Sequence, residues 1–311
     1  MNALDRRFYA AMPAERLGVL RLLIGAFATL YLAVRFTSFT SLARFSVHEF
    51  DPVGPLFWMP EPLPRALLFA FTVATLLLAV AFSLGFRFRV TGPAFAVAFL
   101  LLTSYRSSFG MKFHTENLVC LHALVLGFSA AADAVSLDAR GKPRPSAHGR
   151  YGWAVRTLGL LTVVTYVLAG VAKLRLGGDG WFSGEVLEAQ IAYDNLRKIE
   201  LGSFHSPLGV ALLSVPALFT VLAWLTLLVE LGAPVALLGG RWALVWSVFA
   251  WGFHASVLLT MMIAFAYPLS AVPYLAFFRA ERWLETRPFR WMIRRLEQPI
   301  DSLAPRAAPG D

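Results

Sequence analysis

The stretch WALVWSVFAWGFHASVLLTMMIAFAYPLSAVPYLAFF, residues 242–278, runs for 37 residues without an aspartate, glutamate, lysine or arginine. A helix crosses the hydrocarbon layer of a membrane with about 20 apolar residues, so this stretch is too long for one crossing. We predict two crossings divided at Tyr267-Pro268, because proline interrupts a helix. The second part, 268–279, is short enough to be re-entrant instead. The stretch therefore indicates a membrane protein with several spans.

The composition of the whole chain agrees with this interpretation. Hydrophobic residues make up 58% of the sequence and charged residues 15%, whereas an average soluble domain has about 25% charged residues. Six further apolar runs are predicted spans: 17–36, 66–84, 90–105, 117–132, 153–173 and 208–229. We predict an all-α fold, a polytopic integral membrane helical bundle with about eight transmembrane helices.

Charge sets the predicted orientation and partners. Lysine and arginine are in excess in the segments that are internal when the N-terminus is cytoplasmic, so both termini are predicted to be cytoplasmic. The net charge is +9. Basic residues beside apolar runs typically contact anionic lipid headgroups, so we expect no nucleic-acid partner. We predict a transmembrane domain over 1–280 and a basic cytoplasmic tail over 281–311.

Two external segments are predicted to be structured. Residues 37–65 contain five prolines, which favours a folded cap over a long helix. Residues 183–199 begin with Ser183 as a candidate N-cap. Apolar side chains recur there at helical spacing, at Val186, Ala189, Tyr193 and Leu196. This pattern predicts an amphipathic helix at the outer membrane interface.

Lys173 is an ionisable residue near the outer end of the fifth predicted span, and such residues normally face a cavity or a partner. Ala169 and Gly170 lie one helical turn away and Tyr166 lies two turns away, on the same face. Small residues admit either a neighbouring helix or a flat ligand, and a lysine at a helix end also reaches the interface routinely. An amine kept from water can alternatively act as a base.

The other ionisable residues have structural as well as functional interpretations. Glu230 is as consistent with a structural partner for Arg241 or Arg21 as with a functional role. Arg21 lies within about one turn of the cytoplasmic end of its span, so we expect it to reach the aqueous surface. His254 lies about 18 Å into its span, where it is either a buried histidine bonded to a carbonyl or a functional group.

Metal chemistry is not expected. His114 and His122 flank the start of the fourth predicted span, with Cys120 between them. These three residues lack the tight spacing of metal ligands. A single cysteine also leaves no pair for a disulfide and no redox couple.

Three motifs in order resemble one family. They are YVLAGVAKL followed by GDGWFSGE within 166–185, VELGAPVALL at 229–238 and FHASVLLTMMIAFAYPL at 253–269. They resemble the membrane domain shared by vitamin K-dependent gamma-carboxylase and the bacterial horizontally transferred transmembrane domain (HTTM) proteins. The resemblance implies a carboxylase-like protein of the bacterial cytoplasmic (inner) membrane.

The resemblance also implies residue roles. In the carboxylase, the lysine of the matching AG-x-x-KL segment is the base that deprotonates vitamin K hydroquinone, and its match here is Lys173. His254 matches the histidine of a family FH motif and would orient or hydrogen-bond the quinol. A carboxylase histidine near the fourth helix aligns with Thr115, beside His114, which is therefore a further candidate for substrate binding.

Two functional hypotheses follow. The first is an enzyme with Lys173 and His254 as catalytic residues, which uses a reduced quinone of the vitamin K or menaquinol type to drive oxygen-dependent modification of a small or peptide substrate. Tyr166, Trp181 and Glu230 are then candidate walls of a shared pocket. The alternative is a non-catalytic membrane protein that binds lipid or peptide and assists export or maturation of a partner.

Overall fold

The computed structural model describes residues 3–110 and 116–286, and over these ranges the chain forms helices and turns and no β-strand. Its α-helices are α1 (Ala3–Phe8), α2 (Ala14–Val34), α3 (Phe36–Thr40), α4 (Arg65–Leu84), α5 (Phe88–Arg106), α6 (Asn117–Gly127), α7 (Gly149–Ser183), α8 (Glu185–Glu200), α9 (Pro207–Leu212), α10 (Pro216–Leu231), α11 (Gly240–Met261) and α12 (Ala266–Leu269). Helices α2, α4, α5, α7 and α11 are long and apolar enough to cross a membrane, while α6 and α10 are shorter apolar helices. The all-α fold is confirmed, and the count of eight spans is not.

The sixth predicted span, 208–229, consists of two helices. Pro216 begins α10, and its missing N–H cannot take part in a continuous helix from α9. Val215 before it has φ −128° and ψ 71°, because a residue before proline is displaced from the helical region. The predicted span 117–132 is also shortened, since α6 ends at Gly127.

The uncharged stretch 242–278 contains one long helix rather than two. Helix α11 ends at Met261 because Met262 adopts φ 50° and ψ 34°, so the predicted division at Tyr267-Pro268 is wrong. The chain then runs back along α11 in short helical turns: Trp251 Nε1 donates to the Leu269 carbonyl at 3.0 Å. Irregular backbone of this kind is tolerated at membrane depth where protein covers it.

Helix α8 satisfies the last carbonyls of α11. Asn195 Nδ2 donates to the Thr260 carbonyl at 3.0 Å, and Lys198 Nζ donates to the Met261 carbonyl. These carbonyls have no partner within their own helix, and a cation there also complements the helix dipole. The predicted helix over 183–199 is confirmed, but its N-cap is Gly184 at φ 90° rather than Ser183.

The described residues divide into two compact units, one of 3–158 with 279–286 and one of 159–278, and the boundary falls within α7. The domain limits predicted at 280 and 281 stay predictions, and residues 287–311 of the predicted tail lie outside the described residues.

Arg21, in the first unit, is completely buried, so the expectation that it reaches the surface is wrong. Its guanidinium donates to the backbone carbonyls of Ala131, Phe82, Ser83 and Val135. Two of these carbonyls belong to the last turn of α4, where no intrahelical partner is available. The arginine therefore joins the end of α4 to the chain that follows α6.

The folding predicted for the cap at 37–65 is confirmed in the same unit, and its external placement stays a prediction. It consists of most of α3 and three short 3-10 turns between Ser41 and Leu56. The backbone N–H of Leu63 donates to the Tyr105 hydroxyl at 2.9 Å, which ties the cap to the end of α5.

Candidate functional site

Lys173 lies on α7 and pairs with Glu230 on α10. Its Nζ donates to Glu230 Oε1 at 2.5 Å, and the two side chains are 23% and 2% exposed. The partner of Glu230 is therefore neither Arg241 nor Arg21, which were the structural partners considered from the sequence. A charge pair in so little water is retained only when both members stay bonded, because each ion alone is costly to bury.

Gly170 explains how the two helices come close enough for this pair. A Cβ at this position would lie 2.7 Å from Leu231 Cδ2 and 3.1 Å from Glu230 Cβ. The small residue one turn before Lys173 therefore admits the neighbouring helix α10, as small residues do between membrane helices. Of the two interpretations of this glycine, the structure supports helix packing.

Aromatic rings cover the lysine. Nζ of Lys173 lies 5.4 Å from the ring centroid of Trp181 and 5.9 Å from that of Phe253, within the range of cation–π attraction. Trp181 reaches this position because α7 breaks at Gly178, where φ is 50° and ψ is −136°. The break lets the chain after the lysine fold back over it.

His254 belongs to a hydrogen-bonded chain of side chains. Its Nε2 lies 2.8 Å from the Tyr166 hydroxyl, which in turn lies 2.7 Å from the Tyr274 hydroxyl. Within the part of the chain that the structure describes, Tyr166 is the partner recorded for the Tyr274 hydroxyl. Each of the two hydroxyl protons has an acceptor only if Tyr274 donates to Tyr166 and Tyr166 donates to Nε2. We assign the His254 proton to Nδ1 on this accounting.

Buried polar atoms without a partner concentrate around these residues. Among residues 3–110 and 116–286, the buried side-chain nitrogen and oxygen atoms that lack a hydrogen bond are Trp181 Nε1, Glu230 Oε2, Ser247 Oγ and His254 Nδ1. Buried polar groups are almost always bonded, so each exception calls for an explanation. Three of the four belong to residues that the sequence singled out, and two of those contact Lys173 directly.

A family comparison agrees with the motifs. A family model described as the HTTM domain matches residues 9–283, which is most of the chain. The chain belongs to the HTTM domain family. As an HTTM domain protein with apolar helices of spanning length, it is an integral membrane protein related to the membrane domain of the carboxylase. No curated protein and no solved structure matches the chain.

The structure of this HTTM domain protein brings together five of the six residues proposed from the sequence. Lys173, Glu230 and Trp181 form one group, and His254 with Tyr166 forms a second. Phe253 joins the two groups, because it contacts Lys173 and its ring lies 4.9 Å from the ring of its neighbour His254. The sixth residue, His114, lies outside the described residues.

Sequence reasoning missed Tyr274, which completes the hydrogen-bonded chain. A signal was available, since a tyrosine in an uncharged apolar stretch needs a partner for its hydroxyl. Phe253 was quoted as part of the FH motif but was not assigned a role, although it lies against the lysine.

Two of the fourth-span residues considered as metal ligands have other partners. His122 Nε2 bonds the Leu158 carbonyl at 3.1 Å, and Cys120 Sγ lies 3.2 Å from the Thr103 hydroxyl. Over the described ranges, no group of three or more histidine, cysteine or acidic side chains could hold a metal ion. Both residues therefore have structural partners in the HTTM domain.

Proposed function

We propose that this HTTM domain protein binds a reduced quinone of the vitamin K or menaquinol type beside Lys173 and uses it to drive oxygen-dependent modification of a small or peptide substrate. The observation that carries the proposal is the set of buried unpaired atoms, Trp181 Nε1, Glu230 Oε2 and His254 Nδ1. A quinol head both donates and accepts hydrogen bonds, and these two donors and one acceptor fit it.

A bound reduced quinone would supply an acidic hydroxyl and, through its oxidation, the driving force for the modification. The role of the protein begins at the hydrogen bond between Lys173 Nζ and Glu230 Oε1. The ion pair becomes a neutral pair when the shared proton passes from Nζ to Oε1, and the neutral amine can then turn from Oε1 and accept the proton of the quinol hydroxyl. Glu230 thus supports Lys173 as a base by accepting its proton, and burial favours this step because a neutral pair avoids the cost of two buried ions.

The remaining residues orient the quinol head and shield Lys173 from water. With the assigned tautomer, His254 presents Nδ1–H as a donor, while Tyr166 holds the ring from its other side. Trp181 adds a second N–H donor, and its ring covers Lys173 together with that of Phe253. Excluding water in this way strengthens each polar interaction at the lysine.

The proposal is tested by extracting quinone from the full chain purified in mild detergent. We expect a tightly bound quinone in the wild type, its loss from Lys173→Ala and His254→Ala, and quinol-dependent oxygen uptake that Lys173→Met abolishes. Lys142→Met, at an exposed lysine of the first unit, serves as the control and should retain both. A wild-type protein that neither retains quinone nor consumes oxygen with added quinol contradicts the proposal.

The ion pair also favours a second candidate function. If Lys173 and Glu230 serve only to pack α7 on α10, the protein is a non-catalytic membrane protein that binds lipid or peptide and assists export or maturation of a partner. A double variant Lys173→Met/Glu230→Gln that stays folded and keeps full function in cells distinguishes this candidate, because the enzyme hypothesis requires the amine.

We further propose that the protein lies in the cytoplasmic membrane of a bacterium, in contact with its lipids, with both termini in the cytoplasm. The excess of lysine and arginine in the internal segments supports this orientation. Labelling of cysteines introduced at the two ends of α11 tests this orientation.

A further inference from the structure

An apolar groove lies in the second unit between α8, α9, α10 and α11. Its volume is about 540 Å³, which falls within the range of small-molecule pockets. The wall consists almost entirely of aliphatic and aromatic side chains, among them Ile191, Leu222, Leu225, Val248, Phe249 and Val257. Several of these side chains are exposed on the apolar surface, including Leu225, Val248 and Phe249. The groove is therefore open to an apolar chain that arrives from the lipid.

The groove and the candidate site share Phe253. Phe253 lines the groove, and its ring centroid lies 5.9 Å from Lys173 Nζ. Val229 also lines the groove and directly precedes Glu230 in α10. An elongated ligand with its apolar part among the leucines would pass Phe253 to place its polar end near Lys173, where Glu230 and Trp181 have unpaired atoms.

The charges near Lys173 determine which kind of polar headgroup an amphipathic ligand of the groove can have. The ammonium of Lys173 is already paired with Glu230, and Glu230 is buried. A phosphodiester headgroup would bring a further negative charge beside a buried carboxylate, which is costly without a free cation. A neutral head that donates and accepts hydrogen bonds carries no such cost.

We propose that this groove holds the isoprenoid tail of the quinone whose head binds beside Lys173. This inference rests on the proposed function and adds to it the part of the ligand that determines affinity. Burial of an apolar chain is favourable in proportion to its area, and a tail also fixes the direction from which the head enters.

A larger side chain at Gly252 would fill the groove without a steric clash. It lines the groove on α11, and a Cβ added there meets no atom within 4 Å. Gly252→Phe and the smaller Gly252→Leu therefore occupy the groove without displacing backbone. The matched control is Leu244→Phe, which adds a ring to an exposed position of the same helix that does not line the groove.

The experiment measures binding in lipid nanodiscs by quenching of tryptophan fluorescence, at matched mole fractions of two probes. One probe is 2-methyl-1,4-naphthoquinone, and the other is the same ring with a tail of several prenyl units. We expect the wild type and Leu244→Phe to bind the prenylated probe at least about ten-fold more tightly. Gly252→Phe should lose this preference and still bind the tailless probe, and Gly252→Leu should lose part of it.

The outcomes separate this inference from the proposed function. An unchanged preference in Gly252→Phe, with both probes bound, overturns the tail site and leaves the head site intact. Retention of a phospholipid in the groove, detected by native mass spectrometry and lost only in Gly252→Phe, also overturns it if the probe preference is unchanged. A wild type that binds neither probe contradicts the proposed function and the tail site together.

Discussion

The Lys173–Glu230 pair makes the two residues interdependent, and this changes what a substitution of the lysine measures. In Lys173→Met the methionine fills a similar volume, but Glu230 is left as a buried carboxylate with no partner. Removing one member of a buried pair costs about 3–5 kcal/mol. We expect Lys173→Met to lower the thermal unfolding midpoint clearly, as measured by circular dichroism in detergent.

A double variant, in which Glu230 is replaced as well, provides the control. Lys173→Met/Glu230→Gln removes both charges, so its unfolding midpoint should return close to that of the wild type. If the single and double variants unfold at the same temperature, the pair does not contribute in the way that the structure indicates. The double variant is also the better test of activity, because its loss of function cannot be attributed to unfolding.

Tyr274 is expected to act as a positioning residue for His254. Tyr274→Phe removes the donor to Tyr166, and the Tyr166 hydroxyl can then accept a proton from Nε2 as well as donate to it. Nitrogen NMR of protein labelled at histidine should show Nδ1 protonated in the wild type and both tautomers in Tyr274→Phe. Tyr193→Phe, at an exposed tyrosine, should leave the spectrum unchanged. A wild-type ring protonated at Nε2 would overturn the assignment.

At this scale the sequence suggested which side chains matter but not how they pair. A lysine and a histidine in apolar spans are conspicuous because the bilayer disfavours them. The partner of Lys173, however, is 57 residues away, and helix rotation in a bundle depends on contacts such as that of Gly170, which have no local signature. The partners of Arg21 were equally unpredictable from the sequence, because they are backbone carbonyls, which every residue has.

Two glycines allow the α7–α8 corner to be tested at the scale of the element. Gly178 and Gly184 both have positive φ, so alanine is strained at either position by about 1–3 kcal/mol. The space available for a side chain differs between the two positions. A Cβ at Gly178 meets nothing within 4 Å, whereas one at Gly184 would lie 2.4 Å from the backbone nitrogen of Thr220. Gly184→Ala should therefore lower the unfolding midpoint much more than Gly178→Ala. Equal effects would mean that α8 is not packed against the start of α10.

The boundaries of the spans were predictable where a local signal exists. The N-terminal limit of α4 follows Pro64, and the apolar runs set the length of α2 and α5. Pro216 was also a local signal for the start of α10, but the predicted span began at 208 and ran through it. The end of α11 was not predictable, because the sequence MMIAF contains no helix stop signal. Helix α11 ends where Asn195 and Lys198 bind its last carbonyls, and those residues lie on another helix.

At the scale of the whole molecule, the apolar composition and the family determine that this is a membrane protein, and the path of the chain bears on its sidedness. After α11 the chain turns back along that helix, and the Tyr274 ring lies 5.9 Å from the ring of Trp246. Trp246 is near the start of α11, so the chain has returned most of the way to the side on which α11 begins. The chain makes this return although the segment after α11 is not a long helix.

The orientation can be measured with introduced cysteines, because the one native thiol, Cys120, is buried. Helix α11 has 22 residues, a length of about 33 Å that is sufficient to cross the hydrocarbon layer. Leu238 is exposed just before its start, and Ser203 follows α8, which binds its end. A membrane-impermeant maleimide added to spheroplasts should label Ser203→Cys and should label Leu238→Cys only after permeabilisation. The reverse pattern would place Lys173 at the cytoplasmic side, and labelling of both in intact spheroplasts would mean that α11 does not cross.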